Sequence, residues 1–181
     1  MRNATRLILA SLWLVGGWGG MAQARTGDAV VPAYGTIHAA DGLANRPDPS
    51  LRYRVAFDTT RAPADPEQIN PALERIARFM NLLAAEGVHP KAGDVVAIVY
   101  GAATPSILSD AAYRARFGRD NPNTALLRAL RKAGVSIDVC SYALSGQKIA
   151  RDAVADGIQV DVSAMVTLAN LQLRGWAVIS G

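Results

Sequence analysis

The sequence predicts a single open α/β sheet, mostly parallel, of about five strands with helices on both faces. Three observations carry that expectation. Short apolar runs alternate with stretches of helical period along most of the chain. The run Asp94-Val95-Val96-Ala97-Ile98-Val99-Tyr100 is apolar almost without a break, which suits a strand covered on both faces, as in a parallel sheet. Helix punctuation also recurs: Asn-Pro stands at 70–71 and 121–122, and Gly87, Gly134 and Gly175 stand where helical periods stop.

The chain has 181 residues, half of them hydrophobic, with a formal charge of +4. That composition excludes a disordered chain and leaves room for a real core in one domain. Residues 1–24 read as a secretory signal peptide. Arg2 and Arg6 form the basic start, Leu7 to Val15 the apolar run, and Ala22-Gln23-Ala24 the small-residue cleavage site. The run is too short and glycine-rich for a membrane span of about 20 residues. Cleavage removes Arg2 and Arg6, so the formal charge falls from +4 to +2. No Lys/Arg cluster with neighbouring aromatics stands out, so nucleic acid is not an expected partner. Nothing later is apolar enough to leave a stable membrane anchor, and the expected location is periplasmic or secreted.

Residues 25–50 hold Pro32, Gly35, Gly42, Pro47 and Pro49 without a sustained period and read as an irregular arm. Residues 51–181 are the α/β domain. Arg52 to Asp58 alternates polar and apolar residues, predicting a first strand with one face less buried. Asn70-Pro71 opens a helix whose core stripe is Leu73, Ile76, Ala77, Met80, Leu83 and Ala84. After the second strand, Gly101 to Pro105 reads as a tight turn, since it lacks the residues of a nucleotide loop. Asp110 to Asp120, with Arg114, Arg116 and Arg119, reads as a solvated face or insertion. Asn121-Pro122 opens the next helix, with Leu126, Leu127, Leu130 and Ala133 inward. Val135 to Leu144 reads as a strand ending on Cys140, then a turn at Ser145-Gly146 and a short helix over Lys148 to Ala155. Ile158 to Val162 is a fourth strand or an extended connection. Ser163 caps a helix with Ala164, Leu168 and Leu171 inward, and Trp176 to Ile179 is the last strand.

Cys140 is the only cysteine, so it cannot form an internal disulfide. In an exported chain an odd cysteine suggests a reactive thiol or an intermolecular bond. A small buried hydrophobe is the other reading. The C-terminal edge of a parallel strand is where open α/β sheets place their working groups. His38, His89 and Cys140 match no metal-ligand spacing, and no metal or cofactor is expected.

Several pieces in order resemble the DsrE family of small sulfur-relay proteins. They are Asn121-Pro122-Asn123 before the leucine-rich helix, Ala133-Gly134-Val135, Val139-Cys140, and Ser163-Ala164-Met165 through Leu171-Gln172 to Gly175. The likeness runs from about Tyr53 to Ser180 and is closest to exported single-domain members. It implies a compact α/β fold, symmetric homo-oligomers, and a strand-end cysteine that carries sulfane sulfur as a persulfide. Cys140 holds that position, so it is the one candidate catalytic residue, with sulfurtransferase-like activity if it turns over. Lys148 and Arg151 are candidates to add positive charge near it. With no second cysteine to resolve the persulfide, the donor and the acceptor thiol are external and of unknown identity. The alternative is a non-catalytic homo-oligomeric binding module with Cys140 packed in the core.

Overall fold

The computed structural model describes residues 29–38 and 42–180. The signal-peptide reading at 1–24 lies outside the described residues. Five strands form one sheet, all parallel: β1 (Val55–Thr59), β2 (Val95–Val99), β3 (Ser136–Cys140), β4 (Gln159–Asp161) and β5 (Ala177–Ser180). Their order across the sheet is β4-β3-β2-β1-β5. Among the described residues five α-helices connect them: α1 (Pro71–Ala85), α2 (Asp110–Phe117), α3 (Thr124–Lys132), α4 (Ser141–Gly146) and α5 (Ala164–Leu173).

β1 is more buried than its alternating sequence predicts, because Val55, Ala56 and Phe57 are all inside and Asp58 alone is half-buried. The polar residues before it have other work. Arg52 clamps Asp94, just before β2, with two bonds of 3.0 and 2.8 Å, so the two strands start in register. That clamp is the largest influence on the Asp94 carboxyl and holds it below the usual range, although burial opposes it.

α1 begins where predicted. Asn70 caps it by accepting from the Ala72 N–H at 2.9 Å, and Pro71 takes the first helical position. The predicted stripe is buried along its whole length. It meets α3 and the first face of the sheet in one cluster with Phe57, Val95, Ala97, Val99, Leu126, Leu130, Ile137 and Val139.

The arm folds back on α1, where Arg78 donates to the Thr36 carbonyl and Arg46 pairs with Glu86, and its most connected anchor is buried. Asn81 accepts from the Val31 N–H at 2.9 Å and donates to the carbonyls of Val31, Tyr34 and Gly35. Val31 is fully buried as a result. Gly35 is required there: its φ is +64° and an added Cβ would lie 2.1 Å from the Arg78 backbone nitrogen.

The structure corrects four local expectations. Gly101–Ile107 is a 3-10 helix and not a tight turn. The predicted insertion holds α2, capped by Ser109 and closed by Gly118, with Tyr113 as its buried residue. The second Asn-Pro does not cap a helix; α3 starts two residues after Pro122, and Asn121 turns inward. β3 gives way at Cys140 directly to α4, and only Arg151–Ala153 of the expected 148–155 helix is helical, as a 3-10 turn.

The chain order explains the layers. From β1 to β4 each step moves one strand in the same direction, with α1, α3 and α4 contributing to the first-face cluster. From β4 the chain must return across the whole sheet to pair β5 with β1. A right-handed crossover in that reversed direction lands on the opposite face, where α5 lies. No helix of the described residues is long and apolar enough to cross a membrane.

Candidate functional site

The strands are parallel, so their C-terminal ends share one edge. The exits of β3 and β4 diverge there: β3 runs into α4 on the first face and β4 into α5 on the second. Such a divergence leaves a crevice, the usual ligand position in open α/β sheets. Cys140 and Asp161 end these two strands and are direct partners in the register.

Cys140 points to the α5 face. It is only 6% exposed and packs in a small cluster with Ala56, Val96, Ile98 and Ala164. Tyr100, Ala143 and Leu168 pack against that cluster. The thiol is therefore buried on the α5 side of the sheet, at the end of its strand, among alanines and larger aliphatic and aromatic side chains. The junction above it is held by Ser141 Oγ, which donates to the Val162 carbonyl at 2.7 Å. This bond ties the β3–α4 turn to the β4–α5 turn.

Cys140 has polar neighbours too. Val99 pairs with Val139, so Tyr100 follows beside Cys140. The Tyr100 phenol is pushed up to about 12, by burial first and then by the Asp58 carboxylate, with a contribution from Cys140. Asp58 Oδ1 is buried without a hydrogen-bond partner, as is Trp176 Nε1. Tyr100, Cys140 and Asp161 thus lie side by side at the ends of β2, β3 and β4, with Asp58 of β1 two residues lower, level with Ile98. The sequence carries little sign of this row beyond polar residues at apolar strand ends.

The two expected cations are not at the thiol. Lys148 and Arg151 are exposed on the connection to β4, with no hydrogen bond or ion pair to Cys140. Cys140 is also the N-cap of α4, but its side chain makes no hydrogen bond to the N–H groups of that first turn. Among the described residues no group of three or more His, Cys, Asp or Glu could hold a metal ion.

Two residues before Cys140, on the same face, stands Asp138. It is 6% exposed, and burial holds its carboxyl up at about 6, against the lowering effect of a bond from Ser136 and with a further push from Asp161. A carboxylate in the middle of the apolar run Ser-Ile-Asp-Val-Cys is a signal the sequence carries openly.

Comparison with known proteins agrees with this architecture. A protein of unknown function from Methanobacterium thermoautotrophicum, MTH1491, superposes with a TM-score of 0.53 at 20% identity, covering 71% of this chain and 99% of that one. The ychN protein from E. coli gives 0.51 at 18% identity, with the same 71% and 99% coverage. At those identities the likeness is one of fold. No curated protein matches the sequence. The model of the DsrE/DsrF-like family matches residues 54–180, nearly the whole α/β domain. The chain belongs to the DsrE/DsrF-like family.

Proposed function

We propose that this protein is an exported homo-oligomeric sulfur carrier that holds sulfane sulfur as a persulfide on Cys140. The observation that supports the reading best is the position of the thiol. It ends the strand whose exit diverges from its neighbour's, packed with Ala143 and Ala164 nearby and beside Tyr100. Loading is an exchange reaction. The Cys140 thiolate attacks the outer sulfur of a sulfane donor, a new S–S bond forms, and the donor's S–S bond breaks with its electron pair leaving on the donor sulfur. Unloading repeats the exchange, as an external thiol attacks the outer sulfur and releases Cys140 as thiolate. No oxidant is consumed.

The burial of Cys140 supports a second reading, in which it is a packed core residue of a non-catalytic binding module. Native thiol labelling separates the two. The carrier requires the folded protein to react with a small thiol reagent far faster than it unfolds. The module requires labelling to wait for global unfolding.

Oligomerisation has its own support. Tyr142, Met165 and Leu173 are 72%, 78% and 87% exposed. α5 is apolar nearly all round yet buries only Ala164 fully, and such a helix needs cover. Met165→Glu is expected to lower the mass measured by light scattering towards that of a single chain. An unchanged mass would place the interface elsewhere or deny it.

A further inference from the structure

The α5 face of the sheet is only partly roofed. α5 packs chiefly over β1, β2 and β5, and a groove of about 300 Å³ remains along β3 and β4. Asp138, Gln159 and Asp161 form its sheet side, and Thr167 and Arg174 line it from α5 and its end. A volume of that size lies at the small end of small-molecule sites.

The two carboxylates of this groove differ. Both oxygens of Asp161 are engaged, one by Gln159 Nε2 at 2.7 Å and the other by Thr167 Oγ1 at 2.6 Å. Asp138 accepts from Ser136 Oγ at 2.7 Å through one oxygen, and its other oxygen receives no hydrogen bond among the described residues. No Arg, Lys or His among them pairs with Asp138. A carboxylate buried to this degree without a cation is costly to keep, and it becomes worthwhile when a cation arrives. Arg174, of opposite sign, is exposed and forms no ion pair among the described residues. Val162 and Val166 add apolar surface.

We propose that this groove binds a small zwitterion of the α-amino-acid type, with its ammonium on Asp138 beside Asp161, its carboxylate on Arg174, and a short apolar side chain against Val162 and Val166. A divalent cation is the poorer occupant, since Asp161 is already engaged and, among the described residues, no third His, Cys, Asp or Glu joins the pair. A simple anion would face two carboxylates. The proposal stands apart from the sulfur reading, because Cys140 does not line the groove.

The test is calorimetric titration of the full mature chain with L-leucine at neutral pH, with N-acetyl-L-leucine and L-leucinamide as controls. Saturable L-leucine binding is expected. N-acetylation, which removes the ammonium, and Asp138→Asn should each weaken it about tenfold or more. Arg174→Gln should weaken L-leucine and leave L-leucinamide unchanged. Cys140→Ser should bind L-leucine as the wild type does. Affinity should also fall as pH is lowered through about 6, as Asp138 takes up a proton while Asp161 and Arg174 face the same ligand. Absence of saturable L-leucine binding overturns the proposal, whether the groove is empty or closed by a second copy. So does N-acetyl-L-leucine binding as tightly as L-leucine, or an Asp138→Asn variant with unaltered affinity.

Discussion

Asn123→Ala is expected to destabilise the protein by about 3 kcal/mol, since it strands buried polar groups and also leaves a void. Asn123 is fully buried, and its side-chain oxygen accepts the Asn70 N–H at 2.7 Å. Its Nδ2 donates to Asn121 Oδ1 at 3.0 Å, and that same oxygen accepts the Asn123 N–H at 2.9 Å. Asn121 in turn donates to the carbonyls of Ser106 and Leu108, and Asn70 donates to Ser106 Oγ and the Arg61 carbonyl. Three asparagines therefore bind the loop after β1, the 3-10 helix after β2 and the entry to α3. Alanine at 123 leaves the Asn70 N–H without a partner inside the protein. Urea denaturation should show a lower midpoint with an unchanged slope. A loss below about 1 kcal/mol would mean that water or a shifted backbone replaces the network.

Asp138→Asn is expected to act in the opposite direction and to stabilise the free protein at neutral pH. The carboxyl titrates near 3.8 when exposed and at about 6 in the fold. The folded state therefore binds more protons between those values, and stability must fall as pH rises through that window. Below about pH 4 the group is protonated in both states and the substitution should change little. Above about pH 6 the wild type carries the full penalty, and the variant should be more stable by on the order of 3 kcal/mol, from the size of the shift. Chemical denaturation of both proteins across that range gives the difference curve. A difference independent of pH would show that Asp138 keeps its charge at no cost, through a partner or water that screens it.

The layers of the fold were legible because they rest on long periodic segments. The stripe of α1, the unbroken run of β2 and the glycines after α1, α3 and α5 depend on burial and backbone conformation, which leave a pattern in sequence. Short elements leave none. α4 has six residues, too few to show a period, so its sequence Ser-Tyr-Ala-Leu-Ser-Gly reads equally as the end of a strand and a turn. Asn121 misled for another reason: a side chain that can cap a helix can also satisfy distant carbonyls, and here Ser106 and Leu108 take it. Pairing of β5 with β1 is a long-range event with no local sign.

The candidate site was half legible. Cys140 stands at the end of its strand as expected, but its burial depends on where α5 lands, and that follows from the strand order. The expected cations Lys148 and Arg151 lie on a connection whose path a local reading does not fix. Asp138 stands out in the sequence as a carboxylate in an apolar strand, but its pairing with Gln159, like the place of Tyr100 beside Cys140, follows only from the register.

The central claim is that Cys140 accepts sulfur in the folded protein. Its most direct test is the intact mass of the mature chain after incubation with a sulfane-sulfur donor and removal of excess reagent, beside a Cys140→Ser control. The wild type is expected to gain the mass of one sulfur atom, which a small thiol then removes, and the control to gain nothing. A folded wild type whose mass stays equal to its starting value under those conditions would contradict the claim.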